Sequence, residues 1–443
     1  MISPPIRPTD SERSNRSELQ LQALWLYCSG FLFQVGLLFV TFEQVRPLGI
    51  MLSDYCFFLS LVFFVPKSRL FKLTGSGILL GGALILAGAL LSLREPGSLG
   101  DGAGSLARLF ILFGLIAPLS LCHSKDVYKS MFFLLAGISV NCAVTLVQAW
   151  IFPGIVDVLS VSPPQVDVGF SGRYQGLTEF PVTLGLSAAF AVLLGIGLFS
   201  LAKSVLIRWC LSIPILICSI AALLSGSRIF LASLIPGIAI FALLQKQHRR
   251  GILVALAALA ILWGSITYLA PRVVSEYSER FGDMGLIDYG RLATSAQALM
   301  EIYEKPFWGW GVNHFDEGGV LEIPETGEIA SAHNTFLRYW YAAGLLGAIG
   351  FLTLFVVPVR RILQSLRKKP TDKSIDAVRL ILACYVFFFI VSNLGPYFYN
   401  RYLYVPMFVF AGYVTRTLAP AISRKVVGQP SAPLRMANIK ATP

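Results

Sequence analysis

The strongest constraint on this chain is a succession of uninterrupted apolar runs, each about 18–22 residues long. At 1.5 Å of rise per residue, a helix of about 20 residues spans the roughly 30 Å hydrocarbon core of a bilayer. Such runs fall at 22–41, 47–65, 74–93, 104–122, 129–151, 182–202, 205–224, 229–244, 251–270, 334–357, 376–394 and 400–416, separated by proline, glycine and charge clusters. Composition agrees. Of 443 residues, 55% are hydrophobic and only 14% charged, against roughly 45–50% and 25% in soluble domains. The expected fold is an all-α polytopic membrane protein of about twelve transmembrane helices, with one large loop between the ninth and tenth.

A formal charge of +12 would suit a nucleic-acid binder, but its distribution argues otherwise. Basic residues gather in alternate connections: Lys67, Arg69 and Lys72; Lys203 and Arg208; Lys246, Arg249 and Arg250; Arg360, Arg361, Arg367, Lys368, Lys369 and Lys373. Acidic residues lie mostly on the other side, among them Glu276, Asp283, Asp288, Glu301, Asp316 and Glu325. The positive-inside rule then makes the basic connections and both termini cytoplasmic. The expected segments are a tail at 1–21, nine helices within 22–270, a loop at 271–333, three helices within 334–416 and a disordered tail at 417–443. The first run is full-length and is read as an uncleaved helix.

The seven cysteines form no CxxC or spaced pair and read as small hydrophobes in helices. Two non-cytoplasmic connections stand out by length, 152–181 and 271–333, and loops of that size are usually functional. Within the second, "DYGRLATSAQALMEIYEKP" reads as an amphipathic helix headed by Arg291, with Leu292, Ala296, Leu299, Met300 and Tyr303 on its apolar face. The "FWGWG" turn that follows carries Trp308 and Trp310, which suit a segment lying on the membrane surface.

Ionisable groups at a bilayer rim are costly and mark functional sites by default. On the non-cytoplasmic side they are Asp54, Arg108, Arg173, Arg228, Arg291, His333, Arg338 and Arg401, with Asn334 beside His333. An arginine near a helix end can instead snorkel to lipid phosphates, and Asp54 reads best as the partner of one of these arginines. Several guanidinium forks facing one compartment suit a lipid-borne phosphate or diphosphate. Among the histidines, His123 and His248 fall in basic loops and read as solvated, whereas His314 and His333 face the arginine side. A histidine there can take a proton from a sugar hydroxyl near neutral pH. No HExxH, DxD, Walker or GxGxxG pattern is present, so metal ligation and nucleotide chemistry have no support in the sequence.

The stretch "AHNTFLRYWYAAGLLGAIG" contains His333, Asn334, nine residues, Gly344, two residues and Gly347. This pattern resembles the O-antigen ligase and polymerase family of bacterial envelope proteins. Further likenesses lie at "SGRYQGLTEFP" (Arg173, Gly176, Pro181), at "SGSR" (Arg228), and at Arg291 followed by Pro306, Gly309 and Gly311. The resemblance covers roughly 170–350 and the whole-chain topology.

It implies a metal-independent glycosyltransferase of the GT-C type in the bacterial inner membrane, needing no cofactor. Such an enzyme takes a glycan from undecaprenyl diphosphate at the periplasmic face. By the resemblance, His333 is the base or positioning group for the acceptor hydroxyl, and Arg228 and Arg291 hold the diphosphate. Arg173 helps, Arg280 competes with Arg291 for the loop role, and Asn334, Arg338 and Arg108 complete the binding set. The leading acceptor is lipid A–core, which makes the chain a ligase. A polymerase of O-antigen or exopolysaccharide repeat units would use the same donor and a growing glycan. A transporter, the reading from another class, usually shows internal repeats and midplane binding residues; here the middles of the spans are clean.

Overall fold

The computed structural model describes residues 10–47, 50–63, 77–94, 98–159, 174–227, 229–245, 284–311, 321–322, 329–330, 333–367, 372–395, 397 and 399–418. The predicted ninth span and both chain ends lie outside these residues. Helices make up nearly all of the described chain: α1 (Asp10–Leu38), α2 (Leu52–Val62), α3 (Ile78–Leu91), α4 (Ser98–Leu109), α5 (Ala117–His123), α6 (Val127–Trp150), α7 (Ile155–Leu159), α8 (Pro181–Leu201), α9 (Val205–Leu224), α10 (Ile229–Leu244), α11 (Met284–Glu304), α12 (Thr335–Arg367), α13 (Asp372–Leu394) and α14 (Arg401–Leu418). A π-helical segment, Phe110–Ile116, joins α4 to α5. In the long loop, β1 (Leu321–Glu322) pairs antiparallel with β2 (Ile329–Ala330).

Among the described residues, five stretches are long and apolar enough to cross a membrane: 102–150, 181–201, 205–224, 335–367 and 374–394. The first fuses the predicted fourth and fifth spans. Four shorter apolar helices occupy 22–38, 52–62, 78–91 and 229–244. α12 runs to Arg367, past the expected end at 357, through Pro358. Its buried face continues through Phe355, Pro358, Ile362 and Ser365. Packing thus outweighs the loss of one helical hydrogen bond at the proline. Arg360 and Arg361 of the fourth basic cluster are therefore helical.

α8 lies at the centre, buried at almost every position from Pro181 to Gly197, as expected of a helix that is apolar all round. Rings interlock against it, Phe190 lying 4.9 Å from Phe388 between centroids. α3 and α12 approach backbone to backbone: a Cβ on Gly81 would stand 2.7 Å from the Gly350 carbonyl, and one on Gly88 would stand 3.0 Å from the Gly347 nitrogen. Small residues permit this contact where apolar lipid gives no hydrophobic drive for association.

Asp54 and Arg401 close the His333 end of the bundle. Arg401 donates from Nε to Asp54 Oδ1 at 3.1 Å and from Nη2 to Oδ2 at 2.8 Å, with 3% and 9% of the two side chains exposed. A third donor, Nη1, reaches the Tyr399 carbonyl at 2.9 Å. Arg401 therefore does not snorkel; it is the partner expected for Asp54 and joins α2 to the start of α14. Breaking a buried pair leaves one uncompensated charge, at a cost of roughly 3–5 kcal/mol, whereas replacing both partners with apolar groups can be neutral. Asp54→Leu should therefore lower the thermal midpoint in detergent markedly, and Asp54→Leu/Arg401→Met should recover most of it.

Candidate active site

The opening of α12 is built by capping. Asn334 lies just before the first helical residue, and its Oδ1 accepts from the Phe336 and Leu337 amides at 2.9 and 3.2 Å, two donors that a helix start leaves without partners. Its Nδ2 donates to Asn393 Oδ1 at 3.3 Å. Both polar ends of this predicted substrate contact are thus engaged within the protein. His333 precedes the cap, half-buried, with Nδ1 shielded from solvent. Thr335 is buried, donating to the Gly395 carbonyl at 2.7 Å and accepting from the Tyr397 amide at 3.0 Å. The His-Asn-Thr corner is thereby fixed to the connection between α13 and α14.

Gly344 breaks α12 with φ 63° and ψ −161°. Carbonyls freed there accept from the loop: Trp310 donates to Tyr341 at 2.8 Å and Gly311 to Ala342 at 3.2 Å. Leu345 donates back to Phe307 at 3.3 Å, and Trp340 Nε1 reaches the Pro306 carbonyl at 3.0 Å. Gly309 and Gly311 have φ of 73° and 116°, values that L side chains rarely adopt. A Cβ on Gly309 would stand 2.6 Å from the Gly344 nitrogen. The two glycines of the His333 motif play different parts. Only Gly347 packs helix on helix; Gly344 forms one joint with the Pro306–Gly311 turn.

That joint fixes α11. The helix starts at Met284, so Arg291 lies within it instead of heading it; its side chain is outside the described set. The expected apolar face is also rotated. Thr294, Ala298 and Ile302 are buried, whereas Leu299, Met300 and Tyr303 are exposed, Tyr303 by 86%. Small residues let α11 lie close to α12 while the turn sets its azimuth. The larger apolar groups face outward beside exposed Phe307 and Trp308.

The segment after Arg173 is held just as firmly. The Tyr174 amide donates to the Leu224 carbonyl at 3.2 Å, which brings the chain next to Arg173 against the helix end leading to Arg228. Leu177 donates to Asn141 Oδ1 at 2.7 Å, Gly176 to Gln148 Oε1 at 3.2 Å, and Gln44 Nε2 to the Thr178 carbonyl at 2.9 Å. Arg173, Arg228, Arg280, His248 and His314 themselves lie outside the described residues. Arg108 donates from Nη1 to the Tyr399 hydroxyl at 3.0 Å and sits 5.2 Å from the Tyr399 ring centroid. Arg338 lies one turn into α12, half-buried. Asn334 and Arg108 thus meet opposite ends of the stretch 393–401, Asn334 at Asn393 and Arg108 at Tyr399.

Sequence reasoning missed Glu43. It is buried, accepts from the Glu179 amide at 3.0 Å, and sits among Arg46, Glu179 and Arg401. Arg46 bridges the Glu43 carbonyl at 2.6 Å and the Glu179 carboxylate at 3.0 Å. Two opposite charges in so short a connection, Glu43 and Arg46 of "FEQVR", were the available signal. Burial pushes the Glu43 carboxyl up to about 7, the Glu179 carboxylate adding to the shift, while the Glu179 amide and the two arginines oppose it. With Glu43 protonated, Asp54 and Glu179 balance Arg46 and Arg401. His123, expected in solvent, is instead half-buried, stacked on Phe33 at 5.1 Å between ring centroids and hydrogen-bonded to Ser29 at 3.0 Å. All seven cysteines are free, with Cys210 exposed. Among the described residues, no group of three or more His, Cys, Asp or Glu is placed to hold a metal ion.

Residues 213–352 match the family model described as O-antigen ligase. No curated protein matches the chain. The matched region runs from within α9 to within α12 and contains Arg228, Arg280, Arg291, His333, Asn334 and Arg338, the Pro306–Gly311 turn and Gly344.

Two outcomes are expected. Gly344→Val adds a side chain at a positive φ and against the Phe307 carbonyl; protease sensitivity of the 284–311 segment should rise while the rest of the bundle stays protected. Glu43 holds its proton in the folded protein between pH 4.5 and about 7 but loses it when unfolded. Its contribution to stability is therefore present below pH 4.5 and lost as pH rises through 7. Melting temperatures of the native sequence should fall with the slope of one proton between pH 5 and about 7 and level off above that, and Glu43→Gln should remove the fall.

Proposed function

We propose that this chain, which carries an O-antigen ligase domain, is a glycosyltransferase acting at the periplasmic face of the bacterial inner membrane, with both termini cytoplasmic and about twelve spans. It takes a glycan from undecaprenyl diphosphate and joins it to an acceptor sugar hydroxyl, the leading acceptor being lipid A–core. One observation carries this reading. The His-Asn motif folds as the capped corner of α12, and the Pro-x-x-Gly-x-Gly turn that follows Arg291 docks on the same helix at Gly344.

In the proposed reaction, the acceptor oxygen attacks the anomeric carbon of the lipid-linked sugar. The bond from that carbon to the diphosphate oxygen breaks, and the diphosphate leaves on its polyprenyl carrier. His333 receives the proton of the attacking hydroxyl. Arg228 and Arg291, helped by Arg173, hold the diphosphate and stabilise the charge it gains; Arg280 is the other loop arginine able to do so. Guanidinium forks positioned before the reaction can provide this stabilisation without a metal ion. Asn334 holds His333 in place through the cap, and Arg338 and Arg108 contribute positive charge along the acceptor side.

A polymerase would use the same donor chemistry with a growing glycan as acceptor, and the two are separated by product. Deleting the gene should leave lipid A–core without polymer while lipid-linked polymer accumulates; a shift to single repeat units would instead identify a polymerase, and unchanged glycans would overturn both. In membranes, His333→Ala should abolish transfer with insertion intact. Arg291→Lys should lose most activity, because an ammonium cannot reproduce the fork of donors. Normal turnover of lipid-linked donor by the His333→Ala protein would exclude the base role.

A further inference from the structure

At the end of the bundle opposite His333, a groove of about 1140 Å³ runs between α6 and α9. Its lining extends from Tyr128 to Ala143 on α6, about 22 Å of helix, more than half the thickness of a hydrocarbon core. The volume exceeds the roughly 300–1,000 Å³ of pockets for small ligands. α9 leaves the space open because it is the least buried membrane-length helix among the described residues, with 28% of its apolar window buried and Leu206 71% exposed. Pro214, also in the lining, has no amide hydrogen to offer the Cys210 carbonyl one turn before it, which puts a polar notch into an otherwise apolar wall.

The mouth is charged. Lys203 and Arg208 line it, and among the described residues neither belongs to an ion pair. Arg208 uses Nε on the Ala202 carbonyl at 2.9 Å, which fixes the guanidinium at the helix start. The one acid in the lining, Asp376, is bonded to Arg379 at 3.0 Å and to Gln245 at 3.1 Å, so its charge is already offset. An apolar channel of acyl-chain length with two cations at its mouth is complementary to a lipid carrying a phosphate. We propose that this groove seats one anionic phospholipid of the leaflet on the basic face, its headgroup on Lys203 and Arg208 and its acyl chains along α6 and α9. The site is independent of the transfer reaction proposed above.

Native mass spectrometry of the full chain in detergent tests this, with dioleoylphosphatidylglycerol or dioleoylphosphatidylcholine added at equal concentration. The native sequence should retain one phosphatidylglycerol in preference to phosphatidylcholine, by roughly fivefold for each basic residue. Lys203→Gln/Arg208→Gln should bring the ratio towards one, and Ala143→Trp, which fills the groove, should reduce retention of both lipids. Lys203→Glu, on an exposed side chain, repeats the charge test without touching the Arg208 bond to Ala202. Equal retention of the two lipids by the native chain would overturn the proposal, as would a preference for phosphatidylglycerol unchanged in the charge variants.

Discussion

The joint between the Pro306–Gly311 turn and the break in α12 at Gly344 governs the His333 end of the molecule. Backbone groups make it, so it depends on where glycines allow two chains to touch rather than on particular side chains. A helix interrupted inside a membrane protein must find new partners for the amides and carbonyls it releases, because lipid offers none. Here the loop provides them. The helix that carries Arg291 and the helix that carries His333 are therefore linked at a fixed point, and the loop cannot lift away without breaking hydrogen bonds in both.

Around that joint the polar groups are satisfied in layers. Asn334 caps the helix, Thr335 ties the cap to the connection at 395–397, and Arg401 clamps that connection to Asp54 on α2. On the other flank the segment at 174–180 is laced to Asn141, Gln148 and the Gln44 turn. Glu43 lies between the two sets, accepting from the Glu179 amide and sitting close to Arg46 and Arg401. Several backbone and side-chain groups of this rim are thereby tied to one another across α2, α6, α12 and α14.

Much of this was legible in the sequence. Apolar run length gave α6, α8, α9, α10, α13 and α14 to within a few residues, because bilayer thickness leaves little choice, whereas α1 begins at Asp10 and α12 runs on to Arg367, well outside their runs. Asp54 was readable as an ion-pair partner since a carboxylate at that depth demands one. Periodicity failed at α11, where the apolar stripe faces outward and a line of small residues packs inward; hydrophobic patterning cannot tell a core face from a membrane-facing one. The glycines of the His333 motif were visible, but a pattern does not distinguish a left-handed break from close packing. Glu43 and His123 were missed or misread for a common reason: burial in a short connection depends on tertiary contacts far away along the chain.

The Asp54–Arg401 clamp has a consequence for biosynthesis. Its partners are 347 residues apart, and at about 5–20 residues per second the arginine leaves the ribosome roughly 17–70 seconds after the aspartate. During that interval the second helix carries a carboxyl group at the bilayer rim without the guanidinium that later clamps it. Insertion of the last helix removes that debt and in the same event pins the connection that Thr335 grips. The corner around His333 is thus completed only once α14 has been made and inserted.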